Sequence, residues 1–263
     1  GLHYLEHRSI DLSGYITDVH VTPSNIQDNK PCVERVIRQK WVFKFPLFNV
    51  VADRAYGVGK VYKGLSEMNI NAYIDQYTRQ DKRKGMFDYD DFIYDKKNDY
   101  YICPQGHQLT RRSKEPKDGK WYLYNAGTKY CNRGCELRKT CTITKRNRSR
   151  IIKRSIHQDC VDRQLQKKGT KDWYKLLRKR KTLIEGSFGD AKNNHGLGKA
   201  RLRGIKNVQE QSLLIGTVQN IKKMVKDINR RDNTTALCKQ NVEFHFMKHV
   251  IYLWTGINLN LEN

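Results

Sequence analysis

Two acidic residues occupy positions from which a protein can hold a divalent metal ion. The first, Asp53, directly follows the apolar run Phe48–Ala52, which is typical of a strand buried on both faces. Ligands of α/β sheets bind beyond the carboxyl ends of the strands, so an acid at this point can face a ligand. Turns also favour Asp for local hydrogen bonds, and this ordinary interpretation stays open for Asp53 taken alone.

The second acid, Glu185, lies on a predicted helix over Trp173–Asn193. At about 100° per residue, one carboxylate and three cations share a stripe about 60° wide beside the apolar face of this helix. The four residues are Arg178, Lys181, Glu185 and Lys192. A ladder of Lys–Glu pairs on a solvated face would give the same pattern, so the stripe is either such a face or a carboxylate set among anion-binding cations.

Four of the seven cysteines cluster in one segment: Cys103, Cys131, Cys135 and Cys141. An odd number of cysteines does not fit a fully paired disulfide framework, and four thiolates in a reducing compartment can bind one Zn²⁺. His107, in Cys103-Pro-Gln-Gly-His107, is a substitute ligand. The spacings depart from two C-x2-C knuckles, so unmetallated cysteines packed in a small core are the alternative.

Positive charge dominates the composition, which indicates that the protein has a polyanionic partner. The 263 residues contain 51 Lys+Arg and 27 Asp+Glu, a net charge of +24, and 22 cations against 5 acids lie in residues 138–206. This density matches a phosphate backbone, whose contacts are largely independent of base sequence. Four cations after the Glu185 helix are the best candidates for such contacts: Lys199, Arg201, Arg203 and Lys206. A disordered basic loop is the alternative interpretation.

Hydrophobic periodicity predicts the elements that must position these residues. The N-terminal part contains, in order, strands over residues 3–10 and 16–22, a helix ending near Lys40, the strand before Asp53, a helix over 58–68 and a strand over 70–74. This order indicates an α/β fold. A second long helix, over residues 208–228, follows the helix of Glu185.

The composition divides the chain into four segments. Residues 1–78 are the first part of the core, 79–155 are a cysteine-rich basic insertion with hairpin-like pieces, 156–228 return to the core, and 229–263 are an unassigned tail. No apolar run approaches the ~18–20 residues of a membrane span, and the first residues lack a signal-peptide pattern. We therefore expect a soluble, cytoplasmic protein without a membrane partner.

Together, the two acidic segments resemble the insertion-sequence DDE transposases. Val50–Gly57 resembles the segment of the second catalytic Asp, and Ile184–Lys192 that of the terminal Glu, in the branch with a cysteine-bearing insertion before the last catalytic helix. The resemblance covers about residues 1–226. It implies an RNase H-like mixed sheet flanked by helices, with Asp53 and Glu185 as catalytic ligands of Mg²⁺ or Mn²⁺.

The resemblance also implies a reaction and a partner. Such enzymes cleave and join DNA by in-line attack on a phosphodiester held by metal ions, first with water and then with a 3′-hydroxyl. Lys192 matches the family's lysine near the scissile phosphate. Lys181 occupies the position where the family has an Arg and is assigned to DNA binding, and Arg178 occupies the position where the family has a Tyr. The implied partner is double-stranded DNA, both transposon ends and target, with a homodimer on DNA as one arrangement.

The family's first catalytic Asp has no clear counterpart in this pattern. In that family it lies on a central strand ahead of the first hairpin, and here only two strands precede the first helix. Asp11, in or beside the hairpin turn, is the other candidate for this ligand. We therefore predict that the chain lacks its first carboxylate and its central strand, as an N-terminally truncated transposase would. The alternative function is a catalytically dead, zinc-stapled, basic DNA-binding remnant.

Overall fold

The computed structural model describes residues 3–76, 85–132, 135–142, 149–235 and 249–261. The intervening residues, which include parts of the predicted insertion and tail, lie outside the described residues. The chain forms two compact units, one of Gly1–Tyr77 with Cys160–Asn263 and one of Thr78–Asp159. The first unit contains Asp53 and Glu185, and the second contains the four clustered cysteines.

An antiparallel hairpin begins the first unit. Its strands are β1 (His3–Asp11) and β2 (Ile16–Pro23). The turn between them requires a positive φ, which Gly14 adopts at +88° without the steric cost of a Cβ atom. The Asp11 carboxylate accepts a hydrogen bond from the Tyr15 backbone N–H at 2.8 Å and fixes the turn.

A parallel strand pair follows the hairpin. The elements in order are α1 (Cys32–Ile37), a π-helical turn (Arg38–Val42), β3 (Leu47–Ala52), α2 (Gly59–Glu67) and β4 (Asn71–Tyr73). The first predicted helix therefore ends earlier as an α-helix and continues as a wider turn. Strands β3 and β4 pair in parallel, and α2 supplies the crossover that such a pair needs.

The second unit is a five-stranded antiparallel sheet with two short helices. Its elements are β5 (Ile93–Asp95), β6 (Tyr100–Ile102), β7 (Gln108–Arg111), β8 (Trp121–Asn125), α3 (Thr128–Asn132), α4 (Arg138–Cys141) and β9 (Ile152–Ser155). Each strand pairs with the next in the chain. Aromatic rings fill the core, and the Arg154 guanidinium lies 3.9 Å from the centre of the Tyr94 ring. The hairpin-like pieces predicted here are strands of this one sheet.

Long helices dominate the C-terminal part. The elements are α5 (Gln158–Leu165), α6 (Lys171–His195), β10 (Lys199–Ala200), α7 (Ile205–Thr235) and β11 (His249–Leu261). Thr170 caps α6 by accepting a hydrogen bond from the Trp173 N–H at 3.2 Å. Gly196 ends the helix in the left-handed conformation, with φ at +66°, as C-terminal glycines commonly do.

The sheet of the first unit has the order β2-β1-β11-β3-β4, with β10 beside β11. Strand β11 runs antiparallel to β1 and parallel to β3. The prediction that the sheet lacks a central strand is therefore wrong, because the tail that we left unassigned supplies it. Without β11, the facing edges of β1 and β3 would leave rows of buried backbone groups unpaired. Pairing across so many residues leaves no local signal in the sequence.

Both faces of this sheet are covered, which confirms the predicted α/β class. Val50 and Val51 on β3 are each 0% exposed and belong to separate apolar clusters, one with α1 and α2 and the other with α6 and α7. Gln209 on α7 hydrogen-bonds the backbone of β2, and Gln164 on α5 does the same for β4. The outer strands are thereby protected from pairing with another chain.

None of the described helices combines the length and apolar character needed to cross a membrane.

Candidate active site

Strand β3 places Asp53 at its carboxyl end. The strand is anchored by Val50, Val51 and Ala52, which are 0–1% exposed, so the residue that follows is positioned by the core. The Oδ1 atom of Asp53 accepts a hydrogen bond from the Ala55 N–H at 2.6 Å and begins a single 3-10 turn. The turn interpretation and the ligand interpretation of Asp53 are therefore compatible, since one carboxylate oxygen makes the local hydrogen bond.

Helix α6 carries Glu185 on its exposed side. Its inner face is formed by Trp173, Ile184, Phe188 and Ala191, all buried. Glu185 follows Ile184 and Lys192 follows Ala191, so both side chains lie beside the packed face and are exposed. The other two members of the predicted stripe, Arg178 and Lys181, are exposed as well.

Arg180 is a residue of this site that the sequence reasoning missed. It lies seven residues after Trp173 and four before Ile184, on the packed side of α6, and is partly buried. Burial is the main cause that lowers the pKa of Arg180, and the charges of Asp53 and Glu185 counteract it. The two acids, which are far apart in sequence, therefore both lie within electrostatic range of one guanidinium. Its trace in the sequence is a cation on an apolar stripe, which does not by itself point to the two acids.

A polar network fixes the inner face of α6 next to Glu185. Arg8 on β1 donates hydrogen bonds to Ser187 Oγ at 2.7 Å and to Gln219 Oε1 at 2.8 Å. Gln219 on α7 donates in turn to the Ser187 carbonyl at 2.8 Å and to the Asp190 carboxylate at 2.7 Å. This network ties α6 to both the sheet and α7, so it restricts rotation of the helix that presents Glu185.

Among the described residues, β11, which neighbours β3 where the family has its central strand, supplies no carboxylate next to Asp53. In the register of the sheet, Leu253 of β11 pairs with Ala52, one residue before Asp53, and the sequence of β11 contains no Asp or Glu. Asp11 pairs with Ile251, which is level with Val50 of β3. It is therefore offset from Asp53 by about 10 Å along the strands, at ~3.3 Å per residue.

The predicted DNA-contact residues lie on exposed surface. They are Lys181 on α6 and, after it, Lys199, Arg201, Arg203 and Lys206. The Gln211 side chain accepts a hydrogen bond from Arg201 N at 3.0 Å and donates one to the Lys199 carbonyl at 2.8 Å. The backbone of this basic segment is thus held against α7, in contrast to the alternative of a disordered loop.

The four clustered cysteines lie within electrostatic range of one another in the second unit. Burial raises the pKa of Cys141, and the thiols of Cys103, Cys131 and Cys135 contribute. However, no group of three or more His, Cys, Asp or Glu side chains in the described segments has the geometry of a metal site. The ring of His107 stacks on Tyr130, with centroids 4.9 Å apart. The expected tetrahedral zinc site is therefore not observed in the described part of the chain.

Part of the chain matches a known protein family. Residues 102–225, slightly less than half of the chain, match a protein-family model described as a transposase DDE domain. No curated protein and no solved structure matches this chain. The matched segment contains Glu185 and Lys192 and leaves Asp53 outside. The match supports a DDE transposase, an enzyme of the nuclease and transposase type that acts on DNA.

Proposed function

We propose that this protein is the core of an insertion-sequence DDE transposase with an RNase H-like sheet. In this proposal Asp53 and Glu185 are ligands of Mg²⁺ or Mn²⁺ at the carboxyl end of β3. The observation that carries it is that both carboxylates act on the guanidinium of Arg180, although one follows a strand and the other lies on a distant helix. Two ligands of one metal site must lie close together in the fold. Shared metal ligation would therefore explain why these two acids, distant in sequence, lie near the same guanidinium.

The chemistry of the donor set fits a hard divalent cation. Carboxylate oxygens are preferred ligands of Mg²⁺ and Mn²⁺, and Glu185 is exposed, so its oxygens are open to an ion and a substrate. When bound, the ions would activate the attacking oxygen and stabilise the leaving oxygen of the phosphodiester. Lys192 lies about two turns after Glu185 on α6 and would bind the phosphate near the scissile bond.

The basic segment after α6 would bind the DNA backbone. Lys181, Lys199, Arg201 and Arg203 are exposed cations on or directly after the helix of Glu185, and Lys206 begins α7. Contacts of this kind fix the register of DNA and carry no base specificity. A duplex bound there would present phosphates to the end of the sheet that carries Asp53, and a homodimer on DNA would present two such sites.

One observation favours the alternative of a catalytically inactive DNA-binding remnant. The strand at the centre of the sheet, where the family has its first Asp, is β11, and it contains no acidic residue. Two-metal catalysis needs further oxygen ligands to place both ions. We therefore propose that the 263-residue chain binds a divalent ion through two carboxylates and does not by itself complete the catalytic triad.

A metal titration combined with a nicking assay tests both functions. We expect Mn²⁺ binding to the 263-residue chain, followed by calorimetry, to weaken at least tenfold in Asp53→Asn and in Glu185→Gln. Asp172→Asn, an exposed acid on the first turn of the same helix, is the matched control and should bind like wild type. Duplex DNA binding should persist in all three variants.

The outcomes separate the two functions. Nicking of supercoiled DNA in Mn²⁺ that is lost in Asp53→Ala and Glu185→Ala would establish a complete transposase site and show that another residue supplies the first ligand. Metal binding through both acids without nicking is the expected result. DNA binding combined with Mn²⁺ binding that ignores both substitutions would refute the metal site and leave the DNA-binding remnant.

A further inference from the structure

Arg180 is a cation held in a costly position. Its Nε atom is buried and has no hydrogen-bond partner in the part of the chain that is described. Neighbouring side chains on the same face, Trp173 and Ile184, are each 1% exposed. Burial removes water from this part of the guanidinium, and an arginine stays ionised when partly buried rather than losing its proton. A compensating negative charge is therefore required nearby.

The compensation comes from the two proposed metal ligands. Ile184, next to Glu185, and Val51, two residues before Asp53, pack in one apolar cluster, and the charges of Asp53 and Glu185 both favour the charged form of Arg180. Arg180 forms no ion pair within 4.0 Å in the described residues, so the guanidinium balances both carboxylates at longer range instead of pairing with one. Without a metal, Arg180 is thus one of the cations that balance the charge of the two carboxylates.

We propose that Arg180 is an internal counter-cation, whose positive charge competes with a divalent ion for electrostatic interaction with the carboxylates of Asp53 and Glu185. This inference rests on the proposed function, because it assigns regulation to the same site. A metal ion that binds the two carboxylates must enter against the positive charge of Arg180. The field of a DNA phosphate would offset that charge, so bound DNA should strengthen metal binding, and by linkage the metal should strengthen DNA binding.

The test measures Mn²⁺ affinity with the charge of Arg180 removed. Arg180→Met keeps an unbranched side chain suited to the packed face and removes the charge. A positive charge near a bound divalent ion repels it, so we expect Arg180→Met to bind Mn²⁺ about fivefold more tightly. Arg180→Lys keeps the charge and should stay within about twofold of wild type.

Lys179→Gln is the matched control. It removes one positive charge from the adjacent position of α6, but its side chain is exposed on another face of the helix, so Mn²⁺ affinity should change less than twofold. Circular dichroism verifies the fold of each variant, and Arg180→Gln is a second neutral variant if Arg180→Met folds poorly. An affinity in the neutral variants equal to or weaker than that of Lys179→Gln would overturn the proposal.

A second measurement follows the coupling to DNA. Saturating the wild-type protein with a short DNA duplex should tighten its Mn²⁺ binding. This gain in Mn²⁺ affinity should be at least halved in Arg180→Met and unchanged in Lys179→Gln. Equal gains in all three proteins would overturn the coupling. Mn²⁺ binding that is insensitive to Asp53→Asn and Glu185→Gln would instead refute the metal site itself, so failure of the inference can be distinguished from failure of the proposed function.

Discussion

The ion pair between Arg8 and Glu6 lies at the centre of the polar network beneath α6. Both side chains are 0% exposed, and Arg8 donates to Glu6 Oε1 from Nε at 2.8 Å. The guanidinium also reaches Ser187 and Gln219 and lies 4.5 Å from the centre of the Phe188 ring. Arg8→Met removes this charge and leaves the buried Glu6 carboxylate uncompensated.

The expected loss of stability is large for a single substitution. Removing one partner of a buried ion pair costs roughly 3–5 kcal/mol, because the remaining charge is desolvated without compensation. In the double variant Glu6→Leu with Arg8→Met, neither charge of this pair remains in the interior. What is lost there is chiefly the hydrogen bonds to Ser187 and Gln219, at about 1 kcal/mol each. We therefore expect the double variant to be more stable than Arg8→Met by about 1–3 kcal/mol.

The pH dependence gives an independent check of this account. Burial raises the pKa of Glu6, and the charge of Arg8 opposes that effect. Arg8→Met removes the opposition, so the folded protein holds a proton on Glu6 to higher pH than the unfolded chain does. The unfolded state gains from ionisation as pH rises above about 4.5, and the penalty of Arg8→Met should therefore be smaller at pH 5 than at pH 8.

Urea unfolding followed by circular dichroism measures these differences. Lys63→Met is the control, because Lys63 and Glu67 form an exposed pair at 3.6 Å on α2, which contributes less than about 0.5 kcal/mol. A loss in Arg8→Met no larger than in this control would refute the reasoning. A double variant less stable than Arg8→Met would also refute it, since removal of the stranded carboxylate must help.

Three further predictions concern pH, DNA and zinc. Burial lowers the pKa of His7 to about 4, so as the pH falls the unfolded state takes up a proton on His7 before the folded state does. The free energy of unfolding should therefore fall by about 2–3 kcal/mol from pH 7 to pH 4.5. Urea titrations should show a flatter pH profile in His7→Gln than in wild type, and an unchanged profile would contradict the assignment. Replacing Arg201 and Arg203 together by Ala should lower the slope of log K against log[salt] for duplex binding by about 2 units; the same slope as in wild type would mean that these residues do not touch the backbone. The described residues form no metal site, so protein purified without chelators should contain no zinc by elemental analysis, with the thiols packed unmetallated; one zinc per chain, lowered in Cys131→Ser and Cys135→Ser, would contradict this and show that the four thiols close around a metal ion.

Local patterns in the sequence were sufficient for most elements of the first unit. The alternation in β1 and β2, the apolar run of β3 and the helical periodicity of α6 and α7 each reflect burial of one or both faces. These elements appear where predicted, with ends shifted by a few residues. The pattern also identified the exposed positions of Glu185 and Lys192, since residues beside a buried helical stripe have to face outward.

Two features could not be predicted because their partners are distant in sequence. Strand β11 completes the sheet by pairing with β1 and β3, and nothing in the tail itself specifies those neighbours. Arg180 was passed over because a cation on an apolar stripe makes sense only once Asp53 is known to lie near it. In both cases the deciding interaction is a long-range one that periodicity cannot report.

The positions of Arg8 and Arg180 suggest how the site balances stability against function. Arg8 is buried and donates hydrogen bonds to Glu6, Ser187 and Gln219, so its charge contributes to holding α6 against the sheet and α7. Arg180 lies on the same helix face as Ser187, about two turns earlier, yet its Nε atom is unpartnered in the described residues. A group kept only for packing would be expected to satisfy its donors. A partly buried cation whose charge is favoured by two carboxylates is instead what a site needs if its charge balance changes when metal and phosphate bind.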